Sequence, residues 1–209
     1  MRKCFLLLAG LTILIPAIGH GELADFSPPP PELPFDDVDE ATQQAEVTRQ
    51  ALAFLETLQR HWGNGPERLR TVVPGSVERE EEGNLIYLRN VHDHGVLEGY
   101  GFRKGSLVRG QYLMVQQPLN SLNEFIGYYT ALKQALCAAF GEPALDHVIW
   151  NDDLYAKLPD YWGVAVMIGH LRYHAAWETD EGTLTIELSG ERYSRLSVEY
   201  RVRGEAAHT

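Results

Sequence analysis

Three short runs carry the residues whose types and spacing could do chemistry. In "NVHDHGV", residues 90–96, His92 and His94 flank Asp93. On an extended strand His92 and His94 would share a face, as two ligands of one metal must. Zinc, however, takes three or four ligands, and beyond Asp93 no further one lies near in sequence. The Asp-His-Gly step also falls between two apolar runs of strand length, and Gly tolerates the positive φ of a tight hairpin. The spacing therefore predicts a turn over 93–95 and no metal.

In "GHLRYH" His170 and His174 are four apart, the spacing of a zinc-binding helix. Leu171 stands where such a motif needs Glu, and the alternation of Leu171, Tyr173, Ala175 and Trp177 favours a strand instead. "DHVIWNDD" gathers Asp146, His147, Asn151, Asp152 and Asp153. Paired carboxylates divide acid and base work only when their surroundings pull their pKa values apart. Adjacent Asp152 and Asp153 serve more simply as a helix start. This Asp/His cluster at 146–153 is nevertheless where a hydrolase would be sought. Gly99, Gly101 and Gly105 are spaced one residue too widely for a dinucleotide fingerprint, and no Ser lies in G-x-S-x-G. Cys137 has no base beside it in sequence and reads as a half-buried structural thiol. No catalytic residue and no cofactor is expected.

The elements that position these residues follow from periodicity. Val47, Ala51, Phe54, Leu55, Leu58 and Trp62 recur at helical steps and predict a helix over 40–62, stopped by "GNGP". Leu122, Phe125, Ile126, Tyr129, Leu132, Leu136 and Phe140 predict a second helix over 121–140. Ser121 and Glu124 would form its capping box, and Gly141 its stop. "EREEEG" reads as a solvated loop, and "WGVAVMIG" as a short buried helix or a strand, the helix being preferred. Residues 85–91, 96–102 and 106–115 predict three strands. "LRYHAAW", "TLTIELS" and "RLSVEYRV" alternate with period two and predict three more. The expected fold is α+β: an antiparallel sheet, as two three-stranded meanders, packed against two long amphipathic helices. No internal repeat of fixed period is visible. Arg172, His174, Glu187, Arg195, Glu199 and Arg201, with Thr185, then share the wet face of the C-terminal meander. That face is the candidate binding surface, for a small polar ligand or a partner protein.

Organisation and charge bound the function further. Met1-Arg2-Lys3 followed by the apolar run Phe5–Ile18, with Ala17 and Gly19 at cleavage spacing, reads as a secretory signal over 1–19. The run is shorter than the roughly 20 residues a spanning helix needs. The mature chain would start near His20 and be soluble, periplasmic or secreted, with no membrane span. Residues 20–39, with four consecutive prolines, predict an acidic extended spacer, and 40–205 a single domain. Removing Arg2 and Lys3 takes the formal charge from −11 to −13, which repels nucleic acid and excludes it as a partner. An envelope protein or a small polar ligand fits better. Only Cys137 would remain, so no internal disulfide forms. The step Phe140-Gly141-Glu142-Pro143 and a late Trp177 leading into "TLTIEL" resemble exported bacterial α+β proteins of unknown function. That resemblance spans about 122–202. It implies export and fold class, and no catalytic residue.

Overall fold

Two amphipathic stripes become the helices on which the sheet is seated. The computed structural model describes residues 40–81, 83–91, 94–115 and 123–203, all within the unit Val38–Thr209. The expected signal segment, the proline spacer, His92, Asp93, Ser121 and Leu122 lie outside the described residues. Helix α1 (Glu40–His61) buries Val47, Ala51, Phe54, Leu55 and Leu58, with Arg60 and His61 in its last turn where cations suit the helix dipole. Helix α2 (Pro66–Val72) opens on a proline, tolerated where no helical N–H is needed. Helix α3 (Glu124–Phe140) buries Phe125, Tyr128, Tyr129, Leu132 and Leu136. It ends at Gly141, whose φ of 80° places it in the left-handed region that glycine enters freely. Its start differs from the capping-box expectation. Asn123 holds the cap position and Glu124 is the first helical residue. Asn123 uses its side chain elsewhere, accepting from Gly163 N–H at 2.8 Å and donating to the Pro159 carbonyl at 3.0 Å. That ties α3 to α4 (Trp162–Met167), the short helix expected near there. None of the described helices is long and apolar enough to cross a membrane.

The strands are β1 (Arg79–Glu81), β2 (Asn84–Val91), β3 (His94–Arg103), β4 (Ser106–Val115), β5 (Leu145–Trp150), β6 (Leu171–Glu178), β7 (Gly182–Gly190) and β8 (Ser194–Val202). They form one antiparallel sheet in the order β1-β2-β3-β4-β8-β7-β6-β5. The fold is therefore α+β with an antiparallel sheet, but the two expected meanders are not separate. Their last strands β4 and β8 pair in register, Tyr112 opposite Val198 and Met114 opposite Leu196. An unpaired strand edge leaves a row of N–H and C=O groups open. Pairing β4 with β8 satisfies both edges while keeping the apolar sides in phase. The chain thus carries a helix and a four-stranded meander twice, α1 with β1–β4 and α3 with β5–β8. One further expectation is corrected: "EREEEG" contributes Arg79–Glu81 to β1. The run before Asp152, for which no element was expected, is β5.

Alternate residues of the central strands point at the helices. Leu171, Ala175, Leu184, Ile186, Leu188 and Val198 are fully buried, and Trp177 is nearly so. Trp177 also donates its indole N–H to the Gly141 carbonyl at 2.8 Å, tying β6 to the end of α3. Gly110 on β4 lies directly under α1, where an added Cβ would stand 2.2 Å from Leu58 Cδ1. The helix rests on bare backbone there.

Candidate functional site

The opposite face of the sheet is half-buried or exposed at every described position, and it holds the predicted polar residues. The register brings them together as two clusters and one outlier. His174 faces Glu187 directly, with Nδ1 3.6 Å from Oε2, and Arg172 donates to the same oxygen. Glu199 accepts from Arg201 through Nε at 2.6 Å and Nη2 at 3.1 Å, and from Arg109 of β4. Arg109 and Arg201 stand directly opposite each other. Like charges in that relation repel unless neutralised, so Glu199 is the shared counter-ion. Arg195 stands apart at the start of β8. It is exposed and makes no ion pair among the described residues.

The histidine face continues onto the sheet edge. His147 of β5 lies opposite His174, and Ile149 opposite Arg172. β5 is an edge strand whose second side pairs with nothing among the described residues. Val148 and Ile149 on it are exposed, as are Leu154, Leu158, Tyr161 and Ile168 along the segment that leads from β5 to β6. The other edge, β1, is three charged residues long, the usual device against unwanted pairing.

The Asp/His cluster does not converge. Strand geometry sends Asp146 and His147 to opposite faces, and Asp146 pairs with Lys133 of α3 at 2.5 Å. Asp152 caps a turn by accepting from Leu154 N–H at 2.9 Å and lies 3.6 Å from His170. The expected turn at 93–95 is corrected at its last two residues. Val91 pairs with His94, so His94 and Gly95 already belong to β3. Its imidazole is buried between the Phe125 and Tyr128 rings, with Nε2 3.5 Å from Glu124. Among the described residues no three of His, Cys, Asp and Glu gather closely enough to hold a metal ion.

One cluster escapes the sequence reasoning. A cleft of about 350 Å³ opens between α1, Val73–Pro74 and strands β2–β3. Glu98 and Arg89 line it, with side chains only 12% and 22% exposed. Glu98 Oε2 lies 3.4 Å from Arg89 Nε and accepts from the Tyr100 hydroxyl at 3.3 Å. Burial pushes this carboxyl above the usual carboxylate range, against the opposing pull of Arg89 and of the Tyr100 hydrogen bond. Burial likewise raises Tyr100 and Tyr112, and the charge of Glu98 adds to both. The signal is present in the strand alternation. Arg89 shares the inward parity of Leu85, Tyr87 and Val91, and Glu98 that of Val96 and Tyr100.

Compared with family models, curated proteins and solved structures, the chain matches none of them.

Proposed function

We propose that this chain is an exported interaction module that takes up an extended segment of an envelope protein as a ninth strand on β5. The adjoining polar face, Arg172, His174 and Glu187, would read that segment's outward side chains. The observation that carries this reading is the contrast between the two sheet edges. β1 is short and charged, whereas β5 is six residues long and bears exposed Val148 and Ile149. Strand addition supplies affinity through main-chain hydrogen bonds and specificity through alternate side chains. Exposed Glu142 and Asp153 flank β5 on either side, and they favour a segment with basic residues outside an apolar centre. The same acids disfavour a second copy of this acidic chain. Export rests on the Met1–Gly19 pattern, and N-terminal sequencing of the mature protein should begin near His20.

The test is photo-crosslinking from single positions in cells. A photoreactive residue at Val148 or Ile149 should give one discrete adduct, and the same residue at Glu80 on β1 should give none. Mass spectrometry should place the adduct on an extended apolar segment with flanking Lys or Arg. An adduct of twice the chain's mass would mean self-association, and equal adducts from both edges would sink the reading. The alternative is a periplasmic hydrolase using 146–153. It requires Asp146 and His147 to act from opposite faces of one strand, and no observation favours it.

A further inference from the structure

The cleft on the helix side of the sheet holds two charged groups, Glu98 and Arg89. Glu98 and Arg89 occupy inward positions where apolar residues would pack without a desolvation cost. Their contact is poor for a structural ion pair. Arg89 Nε and Nη2 approach the same oxygen, Oε2, at 3.4 and 3.5 Å, instead of forming the short two-pronged pair typical of Arg with a carboxylate. Among the described residues Glu98 Oε1 has no partner. Arg89 is held in place by its surroundings: it lies over the Tyr87 ring at 5.4 Å. Gly75, beside its Nη1, has φ +88°, a conformation that favours glycine.

We propose that this cleft binds a small organic monocarboxylate, its carboxylate on Arg89 and Arg49 and its hydrocarbon body against Phe54, Val73, Pro74 and Tyr100, with Glu98 taking up a proton as it binds. The volume of about 350 Å³ lies at the lower end of the range for small-molecule sites. Arg49 stands at the rim on α1, 66% exposed and paired with Glu46 of its own helix. With Glu98 protonated, Arg49 and Arg89 outweigh Glu46 by one positive charge, which attracts an anion and repels a cation. An anion on Arg89 would face the ionised Glu98 at close range, and like charges sharing a site cannot both persist. Burial already favours the neutral form of Glu98, and the neutral carboxyl becomes a hydrogen-bond donor to the ligand. The charged and titratable groups around Glu98 are Arg89 and Tyr87 from β2, Tyr100 on β3, Tyr112 from β4, and Arg49 with Glu46 from α1. The tyrosines stay neutral near pH 7, so Glu98 is the group that accepts the proton. The cleft acts independently of the β5 edge.

Titration calorimetry with benzoate, benzyl alcohol and benzylamine tests it, at pH 7 in two buffers of different ionisation enthalpy. Benzoate should bind in preference to both comparators and take up close to one proton. Glu98→Gln imitates the protonated acid, so it should bind benzoate at least as tightly with no proton uptake. Arg49→Ala should weaken benzoate about tenfold, the loss of one rim charge contact. Arg89→Ala alone would strand a buried carboxylate, so it is made in the Glu98→Gln background, where benzoate binding should vanish. Tighter binding of benzylamine, loss of benzoate binding in Glu98→Gln, or no benzoate binding by the unaltered chain would each overturn the proposal.

Discussion

Gly110→Ala isolates the contact on which α1 rests. The new methyl would meet Leu58 Cδ1, Cδ2 and Cγ at 2.2, 2.4 and 2.8 Å, and Leu58 is 1% exposed. Overpacking of a well-filled core costs about 1–3 kcal/mol. Reduced freedom of the unfolded chain returns about 0.4–1 kcal/mol. A net loss of about 1–2 kcal/mol is expected, visible as a lower urea midpoint at unchanged slope. Leu58→Ala alone should cost about 2–5 kcal/mol through the cavity it leaves. In the double variant the methyl added at position 110 occupies part of that cavity. The two losses should then fall short of their sum by about 1 kcal/mol or more, as expected for residues in contact. Strictly additive losses would show that α1 does not sit on β4 at Gly110, and the seating of the helix layer would have to be redrawn.

Trp177→Ala should cost about 3–5 kcal/mol as a core truncation, because the ring is 2% exposed and holds the Gly141 carbonyl; chemical denaturation measures it. Glu199→Ala should cost about 1 kcal/mol in low salt, since it leaves Arg109 and Arg201 opposed, and the deficit should shrink in 1 M salt, where the Debye length is about 3 Å. Glu98→Gln should stabilise the chain near neutral pH and lose that advantage in acid. The native state holds the Glu98 proton to higher pH than the unfolded chain does. Stability from this group is therefore full below the unfolded carboxyl pKa and falls as pH rises through the folded one. Melts of both proteins across pH 4–8 decide it, and a gap that closes as pH rises would contradict the burial argument.

The elements legible in the sequence are those with one wet side and one dry side. Helices α1 and α3 and strands β6–β8 have a buried stripe facing an exposed one, and that contrast is the source of periodicity. β5 lacks it. Asp146, Val148 and Trp150 share one face and Leu145, His147 and Ile149 the other, so neither face is apolar throughout. An edge strand beyond the helix layer is wet on both sides. The union of the two meanders rests on β4 residues 109–115 pairing with 195–201 of β8. No local pattern encodes so distant a partner. The polar face is legible from alternation, but its cross-strand charge pairing depends on register. Glu98 and Arg89 are within reach of the same reasoning, because two charges at inward parity on neighbouring strands break the very pattern that identifies those strands.

Backbone hydrogen exchange tests most directly whether β5 receives a partner strand. The chain would be compared alone and saturated with a synthetic peptide of the segment crosslinked through Val148. Exchange at residues 145–150 should slow on binding, as it does when edge amides enter a ladder, while β1 amides at 79–81 remain unchanged. Protection confined to β1 or to the α1–α3 surface, with 145–150 exchanging as freely as before, would contradict strand addition at β5.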